Sequence, residues 1–250
     1  MGLCSLAKRI FNGYGREVTG YVANLELQLA ALQKTRAQYP LQLEETQKIK
    51  LCGVHGYSFR ENLLMTIQPK LSGVAGDILD VGVCKCDLTV ALAQIAASLN
   101  KKVFAVDICD IDFDAEYTDN KKVFLPTFYR DIGLTSETQE AYIRGVLSGY
   151  SNVEFIKADS KIVKFPKAQK FCFAVVDGCH LPEYVHSDFN LAWRHLSKGG
   201  YLAMHDYMGD LQTCTDAIDE CIDELVERGE VAYENVFRVE GWWVVIPKNA

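Results

Sequence analysis

The sequence predicts an α/β fold in which a doubly wound, mostly parallel seven-stranded sheet ends in an antiparallel hairpin. Apolar runs of strand length alternate with amphipathic helical patterns from residue 58 onward, an order typical of parallel sheets covered by helices. Two final apolar runs are separated only by Glu240-Gly241, which is typical of a hairpin. A chain of 250 residues that is 49% hydrophobic is long enough for one such domain with a full core.

Residues 1–57 are predicted to be a helical extension of the α/β domain at 58–250. Apolar residues spaced four, three, four and three apart form one seam along a helix: Val18, Val22, Leu25, Leu29 and Leu32. Pro40 ends or kinks this helix, and residues 41–51 form a second short one. The seam packs either on its own domain, as a lid, or against a second copy in a homodimer, and the sequence leaves both alternatives open.

The α/β domain opens with a helix and a βαβ unit. Ser58-Phe59-Arg60-Glu61 has the form of a capping box, which begins a helix that runs to Leu71. An apolar run then ends at Gly82, a helical pattern covers 88–99, and a second apolar run stops at Asp107. An acid roughly 20 residues past the turn is placed to accept hydrogen bonds from ribose hydroxyls. These features indicate a nucleotide-binding unit.

The turn of this unit lacks the dinucleotide fingerprint. Cys84 and Asp87 stand where that pattern requires glycines, which allow a pyrophosphate to approach the backbone. Asp87 at the mouth of the helix would also repel a phosphate. The sequence therefore disfavours nicotinamide-dependent redox chemistry and favours a ligand with ribose and adenine but no phosphate, namely S-adenosylmethionine.

The rest of the chain continues the alternation of strands and helices. Residues 108–131 are rich in acids and aromatics without a clean period, and we predict a long loop or lid beyond the carboxyl edge of the sheet. The elements predicted after it are a helix at 135–149, strands at 152–158 and 171–176, a helix at 183–196, a turn at Gly199-Gly200, a strand at 201–204, a helix from Leu211, and hairpin strands at 231–239 and 242–246.

Composition argues against several classes of function. A formal net charge of −7 disfavours nucleic acid as a partner. No apolar run approaches the roughly 18 residues of a membrane span and no signal-peptide pattern opens the chain, so we expect a cytoplasmic protein. Nine cysteines without framework spacing are expected to be reduced thiols. Cys84-x-Cys86 with Cys109 could form a metal or redox site, but the burial habit of cysteine favours packing.

Acidic residues follow five of the predicted strands: Asp80, Asp107, Asp159, Asp177 and His205-Asp206. In open α/β sheets the ligand crevice lies outside the carboxyl ends of the strands, so we expect these side chains to share one crevice. Each acid alone could be a helix cap, but five together would repel one another unless something positive were present. A divalent cation beside a sulfonium cofactor would meet that demand.

Four segments of the chain resemble class I S-adenosylmethionine-dependent methyltransferases. They are Asp80-Val-Gly-Val-Cys-Lys-Cys-Asp-Leu-Thr, Ala158-Asp159-Ser160, Val176-Asp177-Gly178-Cys179-His180-Leu-Pro-Glu-Tyr184-Val185 and Gly199-Gly200-Tyr-Leu-Ala-Met-His205-Asp206-Tyr207. The resemblance covers about residues 58–248. It is closest to the macrocin O-methyltransferase-like, metal-dependent sugar methyltransferases and their cephalosporin-hydroxylase-like relatives. It implies a Rossmann-like methyltransferase fold.

The resemblance also implies a role for each matching residue. The residues implied to bind the cofactor are Asp80, Gly82, Val83, Asp107, Ile108, Asp159, Ser160 and Asp177, with Asp107 at the ribose and Asp159-Ser160 at the adenine edge. Asp177, His205 and Asp206 are implied to bind a divalent metal, Mg²⁺ or Mn²⁺ in the first place and Fe²⁺ or Zn²⁺ as alternatives. His180 is the candidate general base, and Asp177 is the second candidate catalytic residue.

The chain departs from the family pattern at three positions. Cys86 stands where the family has the second glycine of the loop, and His205 replaces a carboxylate. Cys179 stands where some sugar methyltransferases carry a general-base Asp, which leaves His180 as the nearest candidate. A cysteine in the loop would crowd the methionine end of the cofactor or mark a lapsed site.

The predicted function is metal-dependent transfer of a methyl group from S-adenosylmethionine to a hydroxyl of a sugar, polyol or other small natural product. Chelation of vicinal hydroxyls lowers their high pKa and holds one oxygen in line with the sulfonium methyl. The alternative is a catalytically degenerate cofactor-binding or scaffold protein of the same fold. No nucleic acid or membrane partner is expected. Residues 1–57 and 108–131 are expected to build the acceptor pocket, and they do not identify the acceptor.

Overall fold

The structure, a computed structural model, describes residues 57–111, 133–207, 212–239 and 242–249. The helices predicted before residue 57, most of the loop predicted at 108–131 and the Glu240-Gly241 turn lie outside the described residues. The lid and the homodimer contact predicted for the N-terminal segment therefore stay predictions.

Five α-helices and seven β-strands make up the described part of the chain. The helices are α1 (Tyr57–Ile67), α2 (Asp87–Ser98), α3 (Gln139–Leu147), α4 (Pro182–His195) and α5 (Gln212–Glu227), with 3-10 turns at Gln68–Lys70, Ser160–Ile162 and Tyr233–Asn235. The strands are β1 (Asp77–Val81), β2 (Val103–Asp107), β3 (Val153–Lys157), β4 (Phe171–Val176), β5 (Leu196–Met204), β6 (Phe237–Val239) and β7 (Trp243–Pro247). No helix within these ranges is long and apolar enough to cross a membrane.

The seven strands form one sheet in the order β3-β2-β1-β4-β5-β7-β6. The first five strands in this order are parallel, whereas β7 runs antiparallel to both β5 and β6. This arrangement confirms the predicted doubly wound, mostly parallel sheet with an antiparallel C-terminal hairpin. The chain moves outward from β1 through β2 to β3 and then places β4 on the other side of β1. The topological switch point, where ligands bind in such sheets, therefore lies between β1 and β4.

The central strand β4 is buried along its whole length, because helices cover both faces of the sheet. On one face, a cluster of buried side chains joins β4 to Phe189 of α4 and Ile218 of α5. On the other face, a second cluster joins it to Leu63 of α1 and Leu92 of α2. Burial of one large apolar side chain contributes roughly 1.5–3 kcal/mol. These clusters therefore hold firmly the strands whose carboxyl ends carry the polar residues.

β5 begins earlier than the sequence predicts. It starts at Leu196, directly after α4, and it contains Gly199-Gly200, so the predicted turn is wrong, whereas the strand predicted at 201–204 is confirmed as the last part of β5. The pairing with β4 shifts register in this stretch, and Gly199 has a φ of +77°. The two glycines therefore mark an irregularity inside the strand, where glycine permits a bulge.

Other boundaries also differ from the prediction by a few residues. The strand predicted at 231–239 is reduced to Phe237–Val239, because a 3-10 turn occupies Tyr233–Asn235. Helix α3 begins at Gln139 rather than Thr135, because a hydrogen-bonded turn precedes it. None of these differences changes which strand ends face the predicted crevice.

Candidate active site

The loops after β1 and β4 meet at the switch point. The backbone amide of Asp177, the residue after β4, donates a hydrogen bond to the carbonyl of Val81 at 2.8 Å. Gly82 has a φ of +93°. A Cβ on Gly82 would overlap the carbonyl of Asp177 and stand 2.9 Å from the amide nitrogen of Gly178. Glycine alone fits this position, so two predicted site residues, Gly82 and Asp177, are in direct backbone contact.

The carboxylate of Asp107 ties the β1 loop to the end of β2. Its Oδ2 accepts hydrogen bonds from the backbone amides of Val83 at 2.8 Å and Cys84 at 3.0 Å. Its Oδ1 accepts a hydrogen bond from the backbone amide of Cys109 at 2.7 Å. Ile108, the residue between Asp107 and Cys109 in the chain, is half-buried. A carboxylate offers about four acceptor positions, so Asp107 already uses three within the protein. The predicted contact with ribose stays a prediction and would use the remaining position.

The side chain of Cys86 is fully buried in an apolar cluster with Val90, Ala105 and Ile143. Its backbone is left-handed, with a φ of 68°, at the N-cap of α2, a conformation that glycine adopts more readily. Burial raises the pKa of the Cys86 thiol, which keeps it neutral and unreactive. The side chain is thus part of the core, and the expectation that it crowds the cofactor loses its basis.

Asp80 of β1 has no solvent-exposed surface. The hydroxyl of Thr89 on α2 donates a hydrogen bond to its Oδ2 at 2.6 Å, whereas its Oδ1 has no hydrogen-bond partner within the described ranges. Burial raises the pKa of Asp80 to about 7, although the Thr89 hydrogen bond opposes this shift. The cofactor role of Asp80 stays a prediction, and Thr89 is a partner that the sequence did not indicate.

The residues predicted at the adenine edge open the 3-10 turn after β3. Asp159 accepts hydrogen bonds from the backbone amide of Lys161 at 2.9 Å and from the hydroxyl of Tyr184 at 3.0 Å. The side chain of Ser160 is hydrogen-bonded to Asp188 of α4, whose pKa burial raises to about 7 despite that bond. Asp159 and Ser160 therefore connect the end of β3 to α4.

Three side chains that can bind a metal come together at the ends of β4 and β5. Asp177 follows β4, Asp206 lies just beyond β5, and His180 lies in the loop before α4. One ligand atom from each lies within 4.8 Å of the other two, and no second group of this kind occurs among the residues that the structure describes. We call these three residues the Asp/His cluster. Nε2 of His180 lies 2.7 Å from Oδ2 of Asp206.

His205 lies against both carboxylates of the Asp/His cluster. Its Nδ1 is 3.0 Å from Oδ1 of Asp177 and 3.2 Å from Oδ2 of Asp206. Burial alone would lower the pKa of His205, but the two carboxylates outweigh burial and raise it to about 10. Burial would likewise raise the pKa of both carboxyls, but His205 and Arg60 outweigh it at Asp177, and His180 and His205 outweigh it at Asp206, so both pKa values are lowered. His205 therefore supplies part of the positive charge that the clustered acids require.

The structure changes the grouping of the predicted metal residues. The sequence predicts Asp177, His205 and Asp206 as ligands and His180 as base. Both acids do come together, and His180 completes with them a group of three that could hold a metal ion, while His205 contacts both carboxylates through Nδ1. The ligand role of His205 and the base role of His180 both stay predictions. The four side chains are between 13% and 18% exposed, so they are shielded from bulk water but still reachable by a small molecule.

Two residues beside the site are missing from the sequence prediction. Arg60 of α1 places Nη1 3.8 Å from Oδ2 of Asp87 and Nη2 4.0 Å from Oδ2 of Asp177. Trp242 is 41% exposed and lies nearly parallel to the imidazole of His205, with ring centroids 6.3 Å apart. No local pattern connects either residue with the strand ends, because both contacts are long-range and arise from packing.

A family model described as a methyltransferase domain matches residues 79–207, just over half of the chain. This chain belongs to that methyltransferase family. The matched segment runs from β1 to Tyr207 and includes the five acids at the strand ends. No curated protein matches the sequence significantly.

Solved structures similar to this methyltransferase include three other methyltransferases. The O-methyltransferase NovP has 19% identity and a TM-score of 0.58, with coverage of 76% of this chain and 81% of its own. The SAH-bound methyltransferase PaMTH1 of Podospora anserina has 12% identity and a TM-score of 0.51, with coverage of 95% and 97%. The calicheamicin methyltransferase CalS11 has 13% identity and a TM-score of 0.52, with coverage of 89% and 91%. These likenesses concern the fold, and it is the class I S-adenosylmethionine-dependent methyltransferase fold.

Proposed function

We propose that this methyltransferase transfers a methyl group from S-adenosylmethionine to a hydroxyl of a small sugar, polyol or other natural product, with a divalent cation held by the Asp/His cluster. One observation carries the proposal. Asp177 offers a ligand atom to the cluster, and its backbone packs against Gly82 of the β1 loop. A cation bound to Asp177 would therefore lie next to the loop that holds the cofactor.

The cofactor is proposed to lie across the carboxyl ends of β3, β2 and β1, which are consecutive in the sheet. Its adenine would contact Asp159 and Ser160, and its ribose would contact Asp107. The methionine part would then reach the loop at Gly82. The next strand in the same row is β4, which ends at Asp177, so this arrangement directs the reactive methyl group toward the Asp/His cluster.

The donors of the cluster fit a divalent cation. Two carboxylates and one imidazole suit Mn²⁺, Fe²⁺ or Zn²⁺, and carboxylate oxygens also suit Mg²⁺. Asp177, His180 and Asp206 would hold the cation. His205 would orient the two carboxylates, because its Nδ1 contacts both. When bound, the cation lowers the pKa of a coordinated hydroxyl and so makes the acceptor oxygen a better nucleophile.

The protein's own groups would position the reactants and exclude water. The carboxylate of Asp206 fixes the orientation of the His180 ring, since Nε2 lies at hydrogen-bond distance. Low exposure of the cluster strengthens each electrostatic interaction within it. A carboxylate that orients a histidine in this way also suits a general base. His180 therefore has two candidate roles, ligand and base, and the cluster geometry favours the ligand role.

The choice of a hydroxyl acceptor is supported by the similar structures. NovP is described as an O-methyltransferase. CalS11 is described as a TDP-rhamnose 3'-O-methyltransferase in a second structure, which has 12% identity to this chain and a TM-score of 0.50. These descriptions hold for those proteins, and they make sugars the first acceptors to try here.

The proposal is tested by measuring conversion of S-adenosylmethionine to S-adenosylhomocysteine over a panel of sugars, polyols and phenols. We expect turnover that disappears in excess chelator and returns with Mn²⁺ or Mg²⁺. Asp206→Asn should abolish turnover without abolishing cofactor binding. His186→Ala is the control, because this histidine lies on α4 and pairs with Glu220; it should keep wild-type activity.

Two results would contradict the proposal. Full turnover in excess chelator would exclude the cation. Cofactor binding without turnover of any acceptor, with metal supplied, would favour the alternative of a catalytically degenerate cofactor-binding or scaffold protein. The sequence supports this alternative because Cys86 replaces a loop glycine, and this argument is weaker in the structure because the side chain of Cys86 is buried in the core.

A further inference from the structure

Arg60 is held between two carboxylates without a hydrogen bond to either. Its Nη1 lies 3.8 Å from Oδ2 of Asp87, and its Nη2 lies 4.0 Å from Oδ2 of Asp177. Both separations exceed the roughly 3.2 Å upper range of an N–H···O hydrogen bond. The contacts are therefore electrostatic, and they keep the guanidinium near both acids while leaving its N–H groups available.

The guanidinium has hydrogen-bonding capacity to spare. Nε of Arg60 is buried and has no hydrogen-bond partner among the residues that the structure describes. A guanidinium carries five N–H donors in a rigid planar fork. The Arg60 side chain is 25% exposed, so a ligand carboxylate that reaches its Nη groups would gain affinity from charge-assisted hydrogen bonds.

Arg60 stands at one end of the crevice. Asp87 begins α2 directly after the β1 loop, and Asp177 follows β4. In the proposed cofactor position, the adenine and the ribose occupy the ends of β3 and β2. The amino-acid part therefore reaches the ends of β1 and β4, which is where the guanidinium lies. The α-carboxylate of this part is the one anionic group of S-adenosylmethionine.

We infer that Arg60 binds the α-carboxylate of S-adenosylmethionine and makes the protein selective for the complete cofactor. This inference rests on the proposed function, since it takes the cofactor position from there. A guanidinium fork pairs with a carboxylate through two parallel hydrogen bonds, which the point charge of a lysine cannot reproduce. Without Arg60, the cofactor carboxylate would approach Asp87 and Asp177 with no cation from α1 to offset their charge.

A thermodynamic cycle with decarboxylated S-adenosylmethionine tests the inference on the full chain. Calorimetry gives the Kd of both ligands for the wild type and for Arg60→Gln. We expect Arg60→Gln to weaken binding of S-adenosylmethionine by about 10- to 100-fold, the effect of a lost charge-assisted pair, and not to weaken binding of the decarboxylated form. The affinity of Arg60→Lys for S-adenosylmethionine should lie between that of the wild type and that of Arg60→Gln. Arg228→Gln removes an exposed arginine that pairs with Glu224, and it should bind both ligands like the wild type.

The outcomes separate this inference from the proposed function. If both ligands bind the wild type and Arg60→Gln weakens both equally or neither, the inference is overturned and the proposed function stands. If the wild type binds neither ligand, both are overturned. If Arg60→Gln loses its folded near-ultraviolet circular dichroism, Arg60→Lys decides, because it keeps the charge. An unchanged ratio of the two affinities in Arg60→Lys then overturns the inference.

Discussion

Gly82 and Asp177 are in backbone contact, so that a Cβ on Gly82 would overlap the carbonyl of Asp177. The contact continues the pairing of β1 with β4, which extends to Val81 and Val176. The loop proposed to hold the cofactor and the acid proposed to hold a cation therefore cannot move independently. A change at either residue should displace the other.

Gly82→Ala should destabilise the protein and disturb both proposed sites. The added methyl group meets backbone atoms, which cannot rotate away, and it also strains a positive φ. We expect the free energy of unfolding to fall by about 2–4 kcal/mol, measured by urea denaturation. Gly145→Ala is the matched control, because a Cβ there meets nothing within 4 Å in α3; it should raise stability by up to about 1 kcal/mol. Equal effects of the two substitutions would contradict this account.

Asp107→Asn should weaken the β1 loop as well as the cofactor site. The carboxylate accepts hydrogen bonds from three backbone amides, and an asparagine NH₂ cannot accept from any amide that it faces. We expect a loss of about 1–3 kcal/mol in the free energy of unfolding, together with weaker binding of S-adenosylmethionine by calorimetry at a temperature where the variant is folded. Asp110→Asn, at an exposed position, should change neither. Wild-type stability and affinity in Asp107→Asn would refute both proposed roles.

Asp188 makes stability depend on pH. Burial raises its pKa from 3.8 to about 7, so between these values the folded protein binds a proton that the unfolded chain has released. Its contribution to the free energy of unfolding therefore falls as pH rises from about 4 to about 7 and is constant above that range. Asp188→Asn removes this contribution. The stability of the variant relative to the wild type should increase across this window, by about 4 kcal/mol at most.

Urea denaturation of both proteins from about pH 4.5 to about pH 9 checks the prediction for Asp188. Other titrating groups are common to the two proteins and cancel in the difference. Measurements above about pH 8 serve as an internal control, because the difference in unfolding free energy between the two proteins should not change with pH there. A difference that stays constant from acid to alkaline pH would show that the carboxyl of Asp188 is ionised throughout.

His180→Ala should distinguish a metal ligand from a general base. As a ligand, His180 contributes one of three donors, so its removal should lower Mn²⁺ affinity by at least about 10- to 100-fold. Mutation of residues that only hydrogen-bond to metal ligands already causes a loss of this size. Electron paramagnetic resonance measures free Mn²⁺ directly, without reference to activity. His186→Ala should bind Mn²⁺ like the wild type. Unchanged Mn²⁺ binding with a kcat lower by roughly 10²–10⁴-fold would instead assign the base role to His180.

Local sequence patterns predict an element well where its residues alone decide its structure. The bounds of β4 agree with the prediction because six consecutive apolar residues, Phe171–Val176, need burial on both faces. Gly199-Gly200 is different, because a glycine with positive φ suits both a turn and a bulge. The choice between these depends on how β5 pairs with β4, which is a tertiary contact that local sequence does not contain.

The same distinction applies to the candidate site. Asp177 and Asp206 are predictable neighbours, because the ends of parallel strands β4 and β5 meet at one edge of the sheet. The grouping with His180 depends on the path of a loop, and the position of Nδ1 of His205 depends on the rotamer. Arg60 reaches Asp177 only because α1 packs on the sheet. The sheet topology thus predicts which acids come together, while side-chain packing determines which histidine and arginine side chains lie beside them.

The buried Cys86 bears on how enzymes of this kind are found in genomes. A motif that demands glycine throughout the loop rejects this chain, although its backbone there has the left-handed conformation that the turn needs. A small apolar side chain can replace glycine at this left-handed position when the core beside it, here Val90 and Ile143, has room for that side chain. Screens that score those interior positions together with the loop would recover methyltransferases that glycine-based patterns overlook.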